Sequence, residues 1–170
     1  MGDDLARRCA EVMYSRDRAS AHLGIRIDEV AAGRSTARMV VTDTMINGHD
    51  ICHGGYIALL ADTAFAFACN TYNQRTVAVG CDVSFLEPAR LGDALVAEAV
   101  ERVRRGRSGI YDVTVRRGDG EVIAEFRGRS RTVGGTLVEV PEPVRAERGQ
   151  RGTVPGPARV ERGQRGAEPP

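Results

Sequence analysis

No lysine occurs anywhere in the 170 residues, so all 24 basic side chains are arginine. That absence excludes a lysine nucleophile, a lysine Schiff base and the lysine of a Walker phosphate loop. Net charge is also scarce, +1 for the whole chain, too little for the basic footprint of a nucleic-acid or acidic-membrane binder. The expectation is a domain that no membrane span interrupts and no signal peptide precedes. Cysteines are few and irregularly spaced (Cys9, Cys52, Cys69 and Cys81), and two lie in segments that read as buried. Reduced thiols and a cytoplasmic location are the expectation. There is no Gly-x-Ser-x-Gly elbow, so the His53-Gly54-Gly55 run lacks the nucleophile that serine-esterase oxyanion loops serve. His49, Asp50, Cys52 and His53 are too crowded for a common zinc pattern. Adjacent side chains such as Cys52 and His53 rarely point at each other, which argues against a thiolate–imidazole pair.

What is present is one stretch that organises the rest. Asn47-Gly-His-Asp-Ile-Cys-His53-Gly-Gly runs straight into Tyr56-Ile-Ala-Leu-Leu-Ala-Asp62-Thr-Ala-Phe-Ala-Phe-Ala-Cys-Asn70. From Tyr56 to Cys69 only Asp62 and Thr63 are polar, which predicts a core helix over 55–72. Gly54 and Gly55 stand at its start, where bare glycines let another group approach main-chain N–H donors without intrahelical partners. Such a helix mouth is a receptor for an oxyanion or a polarised carbonyl. Asp62 is a carboxylate in an apolar helix, where its pKa should rise. A salt bridge to arginine or a capping role is the plain alternative to a catalytic one.

Spacing sharpens this. Asp62 lies eight residues beyond Gly54, about 12 Å along one helix, whereas attack on a carbonyl held at Gly54 requires ~3–3.5 Å. If the two cooperate, Asp62 must come from an antiparallel second copy in a symmetric dimer.

The remaining chain reads as a single domain; 18.3 kDa and 42% hydrophobic residues suffice for one core. Residues 3–19 carry Leu5, Cys9, Val12 and Met13 at helical spacing and predict an amphipathic helix. Strands are expected over 21–30 and 34–41, joined at Ala32-Gly33, followed by a loop over 42–50. After the helix come four alternating runs, 76–86, 94–103, 110–115 and 121–132, the last two joined at Gly118-Asp-Gly120. Short connections predict that these four form an antiparallel meander. A sheet wrapped on a buried helix satisfies both elements, an α+β fold. The domain plan is an N-terminal helix (1–20), a core domain (21–137) and a tail (138–170). From Pro141 the chain is rich in Arg, Glu, Gly and Pro, and Arg145-Ala-Glu-Arg-Gly-Gln-Arg-Gly152 recurs as Arg159-Val-Glu-Arg-Gly-Gln-Arg-Gly166. Its few large apolar residues predict disorder.

Asn47-Gly-His, Cys52-His53-Gly54-Gly55 and Ala61-Asp62-Thr63-Ala64-Phe65-Ala66 together resemble the PaaI-type acyl-CoA thioesterases of the hotdog fold. The resemblance continues through Phe85-Leu86-Glu87-Pro88, Gly92-Asp93, Gly109-Ile110-Tyr111-Asp112 and Phe126-Arg127-Gly128, covering roughly residues 20–135. It implies a curved antiparallel sheet around a central helix, assembled as a homodimer or homotetramer. It further implies that Asp62 is the catalytic carboxylate, as general base or as nucleophile, and that Gly54 N–H polarises the thioester carbonyl. Asn47 would position the water or the carboxylate, and His53 would support the carbonyl site or the leaving thiolate. Gly55, Val79, Gly80, Arg107 and Ser108 are candidate substrate contacts. No cofactor is needed, coenzyme A being part of the acyl-CoA substrate. An aromatic, phenylacetyl-like acyl group is implied by the resemblance alone. The same fold also serves acyl-CoA sensors, but the twenty-odd residues before the domain are too short for a helix-turn-helix. Hydratase chemistry would need a proton-transfer histidine pattern that is not recognisable here.

Overall fold

A computed structural model describes residues 2–139. Two helices, α1 (Gly2–Tyr14) and α2 (Arg18–His22), precede strands β1 (Arg26–Ala31) and β2 (Arg34–Val40). A short 3-10 turn (Asp43–Met45) leads into α3 (Gly54–Cys69), and β3 (Thr76–Phe85), β4 (Ala94–Arg105), β5 (Ser108–Arg117) and β6 (Val122–Thr132) follow. The single helix expected over 3–19 is broken because Asp17 competes for main chain. Its carboxylate accepts from Ser20 N–H at 3.0 Å and from the Ser20 hydroxyl at 2.6 Å, capping α2. β1 consequently starts at Arg26 and not near Ala21; α2 occupies the intervening residues and Gly24 turns the chain at φ +67°.

All six strands form one antiparallel sheet in the order β1-β2-β4-β5-β6-β3. The expected four-strand meander is therefore wrong in one place: β4, β5 and β6 are consecutive neighbours, but β3 lies beyond β6. Pro88 and the turn at Arg90–Asp93 carry the chain across the domain, and Ala94 enters beside β2. β3 becomes an edge strand, with β6 as its one neighbour among the described residues.

The sheet curls around α3, whose sixteen residues make a rod of about 24 Å. Leu60, Ala61, Ala64, Phe65 and Ala68 are fully buried. Phe65 is the packing centre, its ring centroid 5.5 Å from that of Tyr111 and 5.9 Å from that of Phe126. Gly128 on β6 is what admits it: a Cβ there would stand 2.7 Å from the Phe65 ring. Contrary to the expectation of a helix buried all round, one stripe stays uncovered. Gly55 and Asp62 are exposed, and Ala58, Leu59 and Ala66 are half-buried, positions that fall on one helical face.

The helix ends earlier than expected, at Cys69, because two asparagines take over the hydrogen bonding. The Asn70 amide donates to the Ala66 and Thr76 carbonyls, both at 2.9 Å, and its oxygen accepts from Thr76 N–H. Asn73, buried at φ +56°, accepts from the N–H groups of Leu137 and Val138 and donates to the Val138 carbonyl, each at 2.9 Å. Val138, assigned to the tail from sequence, is thereby buried against the domain; the repeated part of the tail lies outside the described residues. Removing the Asn73 side chain strands one buried N–H donor, that of Val138, and one part-buried donor, that of Leu137, at about 1–3 kcal/mol for the buried one. Asn73→Ala is expected to lower unfolding stability by about 2–4 kcal/mol in urea titration, with m unchanged.

Candidate active site

The mouth of α3 is built by the loop before it. Cys52 N–H donates to the Ala89 carbonyl and His53 N–H to the Met45 carbonyl, both at 2.8 Å, and Ile46 bridges Cys52. This pins His53 as the extended cap residue (φ −62°, ψ 128°). His53 Nδ1 then accepts from Gly55 N–H at 3.0 Å, so the ring proton sits on Nε2, which remains a donor. The Gly55 N–H, one of the candidate donors, is thus committed. Gly54 N–H has no acceptor among the described residues. Gly54 is also where a side chain is least tolerated at this end, since a Cβ would meet the Phe85 ring at 2.8 Å. Phe85, half in solvent at 51% exposure, covers the mouth from the end of β3. In the sequence it stands out only as part of a motif, its signal being an aromatic at a strand end immediately before Leu86-Glu87-Pro88.

Asn47 folds its own loop. Its side-chain oxygen accepts from His49 N–H at 2.8 Å, and its main chain pairs with Ile51 and Asp50. Its side-chain NH2 has no acceptor among the described residues, leaving it available beside the mouth.

Asp62 stands two turns further along, on the uncovered stripe. It forms no ion pair or hydrogen bond with any described residue, so the arginine-bridge alternative is not realised among them. Although exposed in the single chain, the carboxylate is partly desolvated by its apolar surroundings and its pKa is raised above the ordinary carboxylate value. Within one chain it cannot reach a carbonyl at Gly54, being about 12 Å along the same helix.

The other candidates cluster at the opposite end. Gly54 and Phe85 mark one end of α3 and β3; Cys69 and Thr76 mark the other, about 24 Å away along the helix. There Ser108 pairs with Arg131 and Arg131 with Val77, while Gly80 pairs with Arg129 across the bulge that carries Val79. Arg107 Nε donates to the Thr132 carbonyl at 2.8 Å. Val79, Gly80, Arg107 and Ser108 therefore flank one stretch of β6, remote from Gly54 of the same chain.

Known proteins share this architecture. Residues 49–124 match the family model described as "Thioesterase superfamily". The acyl-coenzyme A thioesterase PaaI of Escherichia coli (strain K12) is 41% identical over 128 residues, 75% of this chain and 91% of that protein. The chain belongs to the thioesterase superfamily. The solved structure of the E. coli PaaI protein, from the phenylacetic acid degradation operon, superposes with a TM-score of 0.79 at 40% identity. It covers 80% of this chain and 99% of that one. A variant of phenylacetic acid degradation protein PaaI from Thermus thermophilus gives 0.66 at 31% identity, covering 69% and 100%. The fold is therefore the hotdog fold, α+β, and this member of the thioesterase superfamily is a thioester hydrolase.

Proposed function

We propose that this thioesterase hydrolyses acyl-CoA esters at a site assembled from two copies of the chain: Asp62 of one copy faces Gly54, His53 and Asn47 of the other. The observation that carries the reading is the pairing of an unpartnered carboxylate on an apolar, uncovered helix stripe with an uncommitted N–H at a helix mouth. Two further features support a symmetric pair. β3 is an edge strand whose outer main-chain groups have no neighbour among the described residues, and it exposes Val77 (44%) and Val79 (59%). Such an edge invites pairing with another strand. Antiparallel pairing of two β3 edges about a two-fold axis sets the Thr76 end of one chain beside the Phe85 end of its twin. The Val79, Gly80, Arg107 and Ser108 group then flanks the twin's helix mouth.

The chemistry follows from the groups present. Gly54 N–H donates to the thioester carbonyl oxygen as negative charge develops there. Water, or the Asp62 carboxylate itself, attacks the carbonyl carbon. In the general-base route Asp62 takes the water proton, the carbon–sulfur bond breaks, and the electron pair leaves with CoA thiolate. Asn47 NH2 orients the attacking group, and His53 Nε2–H supports the carbonyl or the departing sulfur. The thiolate is a good leaving group, so no strong general acid or cofactor is required. An aryl acid such as phenylacetate suits the two PaaI proteins' phenylacetic acid context. The four free thiols suit a reducing, cytoplasmic setting. No described helix is long and apolar enough to cross a membrane.

A thiol-release assay over aryl- and alkyl-CoA esters tests the reading. Turnover with preference for aryl acids is expected, by a species that sediments as a dimer or tetramer. Tight binding of every ester without turnover would instead mark an acyl-CoA sensor. Hydrolysis by a concentration-independent monomer would refute the shared site.

A further inference from the structure

Three of the four phenylalanines, Phe65, Phe67 and Phe126, lie in the core with at most 3% exposure. Each packs on another ring: Phe65 on Tyr111 and Phe126, Phe67 on Tyr14. Phe85 does neither. It is 51% exposed and enters no ring pair among the described residues. A single exposed apolar residue is ordinary; this one stands out by where it points.

Register fixes its direction. Phe85 pairs with Ala124 and Val83 with Phe126, both partners are buried, and cross-strand partners share a face. Phe85 therefore points inward, toward α3, and not out from the back of the sheet. The ring arrives tip first, its Cζ 2.8 Å and its Cε1 and Cε2 3.1 Å from the place of a Cβ on Gly54. With the tip on Gly54 and the stem in the strand, the surface left to solvent is ring face. That face stands beside the uncommitted Gly54 N–H.

A carbonyl oxygen accepting from Gly54 N–H lies about 2.9 Å from the nitrogen, so the groups on the carbonyl carbon start within reach of the ring. Of those two groups, the sulfur leads into a chain of amides and phosphates. The acyl group is the apolar one, and the one an aromatic face holds better than water does. An aromatic ring on it can meet Phe85 in the offset or edge-on arrangement that such pairs prefer, centroids roughly 4.5–7 Å apart. A saturated ring of the same size gains the apolar contact without the aromatic one.

We infer that Phe85 is a specificity-determining residue: beside Gly54 of the same copy it packs on the acyl group, and its ring makes the enzyme prefer an aromatic acyl group over a saturated one of similar shape. This rests on the acyl-CoA reading above and gives the aryl preference a physical source in this chain.

The test sets phenylacetyl-CoA against cyclohexylacetyl-CoA, using the full-length protein and its Phe85→Leu and Phe85→Met variants. Specificity is the ratio of the two kcat/KM values. The wild type should favour the aromatic ester about fivefold, the effect of one aromatic pair. Both variants should bring the ratio to about one, having apolar bulk but no ring. Leucine and methionine are conservative at a half-exposed position, so the fold is retained. Whatever they do to the Gly54 donor acts on both esters alike and cancels in the ratio. A purely structural role would lower both esters equally, and a ratio unmoved by either variant would overturn the assignment. So would a wild-type ratio near one. Calorimetric binding of the two esters to Asp62→Asn, with and without Phe85→Leu, separates this idea from hydrolysis. An aryl preference in binding that leucine removes, in a protein that turns over no thioester, would sink the hydrolase reading and keep the role of Phe85. Turnover with a ratio indifferent to Phe85 would do the reverse.

Discussion

Asp62→Asn is expected to lower kcat for acyl-CoA hydrolysis by ~10²–10⁴-fold, the range for removing a positioned general base, without unfolding the protein. Asn has nearly the same shape and fills the same place on the α3 stripe. It can neither take a proton from water nor attack the ester. The stability effect should run the other way. Because partial burial raises the folded-state pKa, the folded protein holds the Asp62 proton more tightly than the unfolded chain does. The resulting penalty is absent below the unfolded carboxylate pKa and develops as pH rises through the folded one. Asn carries no such penalty, so the variant should melt at the same temperature as wild type near pH 3 and slightly higher at pH 7. Activity of the wild type should follow the same titration: kcat/KM rises with pH and levels off above the raised pKa, placing the acid limb above the ordinary carboxylate range. Undiminished turnover by Asp62→Asn would remove Asp62 from the mechanism.

Gly54→Pro should cost ~10²–10³ in kcat by deleting the N–H that receives the developing oxyanion. The local backbone accommodates the change unusually well. Proline is favoured at the first helical position, where the N–H has no intrahelical partner, and the preceding His53 is already extended, as a residue before proline must be. The one obstruction is the Phe85 ring, 2.8 Å from the new Cβ. That ring is half exposed and able to swing aside. Gly54→Ala meets the same ring but keeps the donor, so the difference between the two variants isolates the hydrogen bond.

Mixed with Asp62→Ala, the proline variant also tests whether the site is shared. Each heterodimer would contain one site with both groups intact and one with neither. Random exchange of equal amounts makes about half of the dimers mixed and should restore about a quarter of wild-type activity from two nearly inactive proteins. Activity that stays at the level of the parents after subunit exchange would overturn the sharing of Asp62 and Gly54 between chains.

Much of this was legible before the structure because it depends on short-range pattern. Apolar content from Tyr56 to Cys69 predicted α3, alternation predicted the strands, and the bare Gly54-Gly55 pair located the helix mouth. The eight-residue separation of Gly54 and Asp62 is a metric fact of any α-helix, so the sequence alone says that the two can cooperate only across two copies. What failed were one strand pairing decided far along the chain and two helix ends decided by side-chain capping. No local signal places β3 beside β6 rather than β4, since the pairing is settled by which edge remains once β2 has taken β4. Asp17 and Asn70 cut helices whose apolar spacing would have let them continue, because their side chains satisfied main-chain groups that the helix otherwise would have kept.

The amino-acid order by itself determined the family, the central helix and where its open mouth begins, and it singled out Asp62 and Gly54 as the proposed acid and amide donor, all from residues near one another or from a rigid repeat. Tertiary structure alone decided that one stripe of that helix stays uncovered, that Gly55 N–H is taken by His53, and that Phe85 lies over the mouth. Each of these depends on how a curved sheet of fixed strand order closes around a cylinder, and a linear pattern does not encode which face such a closure leaves open.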